Sequence, residues 1–359
     1  MRNSVTLNRA TNILPSLESE AANVSLSNFR SRVVTTIGSV VVAFVFFFNW
    51  PSSARVSSAE LTASLNAPTQ LAIAEMAGNQ IGKRAYMTRQ DPSIGPMRIL
   101  PVPANPKLPT LFLIGDSTVR NGRADGANGQ WGWGDFMAGY FDTSKINVVN
   151  RALGGLSSRT YLTLGYWDAL LTMLKPGDVV VMQFGHNDSG PLNDNYRARG
   201  SIKGIGEESM EIDNLILKRH ELVYSYGWYL RKFIRETKAN GAIPIVCSLV
   251  PRKIWQDSRI VANSHDYAKW ASDVANAASV GFVDLNAIIA HKYEELGREK
   301  VEALFADAQT HTTQAGAELN AAAVVAGLKT LKKNPLARYF SLKANEVQKA
   351  KPPKRPSRL

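Results

Sequence analysis

The chain of 359 residues has a single cysteine, Cys247. No intramolecular disulfide can form, and no Cys/His cluster has the spacing of a zinc site. Cys247 lies in the apolar run 243–250, the setting of an inert buried thiol rather than a nucleophile. Histidine is scarce too: there are five, His186, His220, His265, His291 and His311, so the choice of a general base is short. No internal repeat is present. No nucleic-acid-binding motif accompanies the basic residues, and no nucleic-acid partner is expected. No cofactor and no metal are expected either.

What is abundant is positive charge, and it is unevenly spread. The formal net charge is +12, but residues 329–359 hold ten basic residues and one acid, Glu346. The rest of the chain is close to neutral. The Pro-rich basic segment 336–359 reads as a disordered tail. Residues 1–32 form a polar extension. Residues 33–50 (VVTTIGSVVVAFVFFFNW) are uncharged and apolar, with Arg30 and Arg32 just before them. That stretch reads as a signal sequence or as an uncleaved membrane anchor, and either exports the main domain, to a periplasm or the outside. Residues 51–107 read as a linker, rich in turn signals such as Asp91-Pro92 and Gly95-Pro96.

From 108 to 335 the pattern alternates. Apolar, β-branched runs at 110–114, 146–149, 179–184, 243–250 and 281–285 are separated by helical patterns at 161–174, 226–240, 266–278, 286–296 and 315–331. Continuous apolar strands between helices predict a parallel sheet covered on both faces. Ligands bind such sheets at the carboxyl ends of the strands. Ser117, Gly155 and Asn187 each follow a strand end by a few residues, so they should meet at one rim.

A serine hydroxyl needs a base to become a nucleophile. His311 is the chosen base: it precedes a helical pattern and shares its loop with Asp307, a carboxylate able to orient the ring. His186 adjoins Asn187 and could instead shape the rim. Backbone N–H groups of Ser117 and Gly155, with the Asn187 amide, would serve a developing oxyanion.

These four blocks, in this order, resemble the SGNH, or GDSL, hydrolases. They are Ser117 in Gly-Asp-Ser-Thr, Gly155 in Leu-Gly-Gly-Leu-Ser-Ser-Arg-Thr-Tyr, Asn187 in Gln-Phe-Gly-His-Asn-Asp, and His311 in Thr-His-Thr-Thr-Gln-Ala-Gly-Ala-Glu. Within that superfamily the style is that of rhamnogalacturonan acetylesterases. The resemblance implies a three-layer α/β/α sandwich with a flavodoxin-like parallel sheet of about five strands. It also implies ester hydrolysis through an acetyl-enzyme without a metal. Ser117 would be the nucleophile, His311 the base, and Ser117, Gly155 and Asn187 the oxyanion hole. One position departs from the family pattern. The acid usually lies three residues before the histidine, where this chain has Ala308; Asp307 lies four before. Asp307 is the expected acid, with a backbone carbonyl or water as the alternative orienting group.

The substrate expected is an acetylated polysaccharide, acetylated rhamnogalacturonan first. An ester with another acyl group, or glycan binding with weak catalysis, are the alternatives. A galacturonate backbone calls for cations; Arg151, Arg159, Arg197, Arg199 and Arg252 lie near expected strand ends or in 189–224, and Arg159, Arg197 and Arg199 are the chosen candidates. Trp131 and Trp133 are candidates for stacking on sugar rings. Segment 189–224 is too long for an ordinary connection and reads as a substrate-binding insertion. The protein is expected to be a monomer, with membrane anchoring through 33–50 as a further possibility.

Overall fold

In the strand Thr110–Gly115 (β1) every residue is buried, and successive side chains go to opposite sides. Leu111 and Leu113 join one apolar cluster; Phe112 and Ile114 join the other. That is the signature of a strand covered on both faces. The computed structural model describes residues 98–121, 126–262 and 266–351.

Five strands build one parallel sheet: β1, β2 (Asn147–Asn150), β3 (Val179–Gln183), β6 (Ile243–Cys247) and β9 (Gly281–Val283). Their order is β2-β1-β3-β6-β9, with all pairs parallel. The chain therefore reverses its winding between β2 and β3, and the C-terminal ends of β1, β2 and β3 share one rim. Two antiparallel ribbons stand outside the sheet: β4 (Ser209–Asn214) with β5 (Arg219–Tyr224), and β7 (Trp255–Gln256) with β8 (Arg259–Ile260).

Helices cover both faces. On one lie α1 (Ser158–Thr163), α2 (Tyr166–Leu171), α3 (Tyr226–Ala239) and α4 (Tyr267–Ala277), burying Tyr161, Trp167, Phe233 and Val274. On the other lie α5 (Leu285–Leu296), α6 (Arg298–Glu302) and α7 (Gln314–Leu328), with the 3₁₀ helix Trp133–Tyr140 and, near the end, α8 (Leu342–Glu346). This is the expected α/β/α sandwich. Cys247 is buried within it, and burial pushes its thiol up to about 12, so it is inert.

Four expectations change. The helix expected over 161–174 starts earlier and is broken in two at Gly165, a left-handed residue (φ 84). The insertion 189–224 carries the β4–β5 hairpin, whose mixed polar pattern hid it. The folded unit begins before 108: Leu100 is buried, and Arg151 donates to the carbonyls of Leu100 and Pro101. It also runs past 335. Leu336, Tyr339 and Ala344 lie in the core, and the Phe340 ring packs tilted against Phe141, centroids 5.4 Å apart. Composition misled here because two of the interspersed lysines are themselves engaged. Lys329 Nζ donates to the carbonyls of Ala344 and Val347, both at 2.6 Å, and Lys343 lies over the Tyr140 ring.

Residues 1–97 and 352–359 are outside the described residues. The extension, the apolar stretch 33–50, most of the linker and the end of the tail are among them. Among the described residues no helix is long and apolar enough to cross a membrane.

Candidate active site

The turn after β1 is fixed by Asp116. Its Oδ1 accepts the Thr118 N–H at 2.9 Å and the Thr118 hydroxyl at 2.7 Å, while its carbonyl accepts the N–H groups of Val119 and Arg120. This bracing, with Asp116 wholly buried, leaves Ser117 at the apex and partly exposed. A second brace crosses to β3. Gln183 is the one polar residue in Val-Val-Val-Met-Gln; it donates to Thr118 Oγ1 at 2.7 Å and accepts from Trp133 Nε1 at 2.8 Å. A polar side chain in an apolar strand must find such partners.

The base arrives from the far end of the sequence. Ser117 Oγ lies 2.9 Å from Nε2 of His311, 194 residues later. His311 Nδ1 lies 2.5 Å from Asp307 Oδ2. The four-residue spacing is absorbed by a tight loop in which Asp307 Oδ1 accepts the N–H groups of Gln309, Thr310 and His311 at 3.1, 2.7 and 3.0 Å. Burial raises the Asp307 pKa, but these bonds together outweigh it and hold the carboxyl down to about 2. Asp307 is therefore charged and faces the imidazole nitrogen turned away from Ser117. Thr312 seats the loop: its carbonyl accepts from Trp131 N at 2.9 Å and its hydroxyl donates to the Trp131 carbonyl at 3.0 Å. Thr313 then caps α7, accepting from Gly316 N.

The rim is completed by the turns after β2 and β3. Gly155 has φ 88, a conformation that costs any other residue about 1 kcal/mol or more. Asn187 Nδ2 donates to the Leu156 carbonyl at 2.7 Å, which ties the two turns together. That bond takes one of the two amide hydrogens and leaves one. Asp188 is buried beneath, accepting from the Ser158 N–H, the Ser158 hydroxyl and the Ser201 hydroxyl. Burial raises its carboxyl to about 6 despite these donors. His186 is buried as well, and burial lowers its pKa, so it is neutral at neutral pH. Its place is inside the rim, not on the serine.

The candidates for substrate contact separate. Arg159 is fully buried. It makes a bidentate pair with Glu221 (Nε–Oε1 2.8 Å, Nη2–Oε2 2.7 Å) and donates to the carbonyls of Leu192 and Gly200. It is the post that anchors the insertion, not a substrate cation; a buried cation needs partners on every side. Trp133 is likewise fully buried on Gln183 and cannot stack on a sugar. Trp131 remains partly exposed beside the base loop, its ring 5.5 Å from that of Phe136. Arg197 is exposed and lies over the Tyr196 ring at 4.8 Å. Arg199 Nη1 donates to the Gly155 carbonyl at 3.0 Å.

Sequence reasoning passed over the braces: Gln183, Asp188, Thr312 and the contact of Arg199 with Gly155. Gln183 had a visible signal, being polar within an apolar strand. The others depend on loop closures that no local pattern encodes.

Residues 113–319 match the model of the GDSL-like lipase/acylhydrolase family, more than half of the chain. The chain belongs to that family. Among its relatives is the rhamnogalacturonan acetylesterase of Emericella nidulans, 32% identical over 211 residues, which are 58% of this chain and 80% of that protein. Another is the probable rhamnogalacturonan acetylesterase YesY of Bacillus subtilis, 29% identical over 226 residues, covering 62% and 93% of the two chains. The X-ray structure of Bacillus subtilis YxiM superposes with a TM-score of 0.50 at 25% identity. The match covers 62% of this chain and only 57% of YxiM. Like its family, this GDSL hydrolase is a carboxylic ester hydrolase.

Proposed function

We propose that this GDSL hydrolase removes acetyl groups from a polysaccharide, with acetylated rhamnogalacturonan as its polymer, by way of an acetyl-enzyme. The observation that carries the reading is the unbroken chain Ser117 Oγ, His311 Nε2, His311 Nδ1, Asp307 Oδ2 at the rim of the sheet. The relatives named for rhamnogalacturonan support the choice of polymer.

In this reading His311 Nε2 takes the Ser117 proton as Oγ attacks the acetyl carbonyl. The negative charge passes to the carbonyl oxygen, facing the N–H groups of Ser117 and Gly155 and the free amide hydrogen of Asn187. Collapse breaks the bond from the carbonyl carbon to the sugar oxygen, which takes the proton from His311 and leaves as a hydroxyl. Water, deprotonated by the same nitrogen, then attacks the acetyl-serine; the bond to Ser117 Oγ breaks, Oγ takes that proton back from His311, and acetate is released. Asp307 keeps Nδ1 protonated and stabilises the imidazolium. Export across a membrane through 33–50 and a monomeric state belong to the same proposal and rest on sequence alone.

The test is acetate release from acetylated rhamnogalacturonan by the full chain, beside Ser117→Ala. Release that disappears in the variant is the expected result. Equal release by both proteins, or activity confined to long-chain acyl esters, would overturn the reading.

A further inference from the structure

The segment 189–224 starts at the rim and brings the Arg199 guanidinium against the candidate oxyanion turn, with the Arg197 charge close to it. Arg199 is half-buried, its stem lying along Gly190, where a Cβ would stand 3.7 Å from Arg199 Cγ. Its one hydrogen bond among the described residues goes from Nη1 to the Gly155 carbonyl. A guanidinium carries five N–H donors, so most of those on Arg199 remain for something else. Arg197, two residues earlier, donates from Nη2 to the Tyr196 hydroxyl at 3.2 Å and rests on that ring. Neither arginine forms an ion pair among the described residues.

The loop between them is built, not slack. Asp194 is the only acid in residues 189–200. Its Oδ1 accepts the N–H groups of Tyr196, Arg197 and Ala198 at 3.0, 2.6 and 2.7 Å. Ala198, between the arginines, is buried with φ 42, a left-handed conformation that costs a non-glycine residue about 1 kcal/mol or more. Beneath, the buried Arg159–Glu221 pair holds both ends of the segment. Burial lowers the pKa of Arg199, and the neighbouring Arg197 charge lowers it further. Two like charges are thus held near each other, one of them half out of water; Asp116, Asp188 and Asp194 act on Arg199 only from beyond ion-pair contact. An incoming anion relieves that cost.

We propose that Arg197 and Arg199 form a carboxylate subsite that makes this esterase selective for acetyl groups on a uronate-bearing polymer. The inference rests on the esterase reading above and deepens it. A carboxylate accepting from the free donors of Arg199 sits next to the acyl site, because the same guanidinium is pinned to the Gly155 carbonyl. Uronate binding and oxyanion geometry therefore share one side chain.

The test alters the substrate before the protein. Acetylated rhamnogalacturonan is compared with the same polymer after methyl esterification of its carboxylates, which removes their charge and leaves the acetyl groups. The wild type should lose about tenfold or more in kcat/KM on esterification. Arg197→Gln, Arg199→Gln and Arg199→Lys should each shrink that ratio, Arg199→Gln most, and added salt should shrink it in the wild type. Arg197 is exposed, so its variant keeps the test available if Arg199→Gln folds poorly. A wild type that releases acetate equally from both polymers overturns the subsite and leaves the esterase reading standing. A ratio unchanged in the Arg197 and Arg199 variants overturns the assignment to these residues. No acetate from either polymer by the wild type overturns both.

Discussion

Asp307 and His311 are joined twice within four residues: the carboxylate takes the imidazole N–H through Oδ2 and the His311 backbone N–H through Oδ1. One side chain thus fixes the ring and the backbone that carries it. The family pattern puts the acid one residue nearer; the extra residue is taken up by further N–H groups folding onto the same oxygen. Asp307→Ala removes both links. We expect turnover to fall by about 10³- to 10⁴-fold, by analogy with loss of the acid from serine-protease triads. Steady-state rates on p-nitrophenyl acetate check this, and a loss below about tenfold would show that another group orients the imidazole.

The same residue predicts a pH effect on stability. Its carboxyl is held at about 2 in the folded chain, against 3.8 for an ordinary aspartate. A lowered pKa contributes stability that is complete above 3.8 and is lost as the pH falls toward 2. The melting-temperature gap between wild type and Asp307→Asn should be constant above about pH 4 and narrow as the pH is lowered toward about 2.5. A gap that widens on acidification would contradict the assigned direction.

Arg159 should behave as a structural residue. Removing one member of a buried ion pair strands the other, so Arg159→Met should cost about 3–5 kcal/mol in urea unfolding. The double variant Arg159→Met, Glu221→Met should recover much of that loss. If Arg159→Met instead raises KM with no loss of stability, the residue touches substrate after all.

Gly155→Ala separates conformation from crowding. A Cβ there would meet only Arg199 Nη1, at 4.0 Å, so there is room for it. The cost is the left-handed backbone, about 1 kcal/mol. A small drop in stability should accompany a loss of turnover of about tenfold or more, since a shift of the turn moves an N–H aimed at the oxyanion. Unchanged turnover would remove Gly155 from the oxyanion hole.

The sheet was legible because its central strands are buried on both faces, which writes a continuous apolar run such as Val-Val-Val-Met into the sequence. Three of the four blocks were legible because each stands near the end of such a run, and the His311 block because it opens a helical pattern. The roles of Trp133 and Arg159 were not. An aromatic or a cation near a motif reads the same whether it points into the cleft or into the protein, and only the partner decides. For Trp133 the partner is Gln183, 50 residues away; for Arg159 it is Glu221, 62 residues away. The end of the chain was misread for a related reason. Its lysines dominate the composition, whereas Leu336, Tyr339 and Ala344 dominate the packing.

Trp131 and Thr312 exchange two backbone-anchored hydrogen bonds where the nucleophile segment meets the base loop. This seam is the short stitch between parts of the chain that are otherwise far apart in sequence, whereas Asp307 and His311 travel together. Parting the seam would draw Ser117 away from His311 while the sheet, both helical layers and the acid–base couple stayed intact. The enzyme would then switch off before it melts. Activity lost in mild denaturant, with the far-ultraviolet signal still native, would register a breach a few ångströms wide rather than the unfolding of the domain.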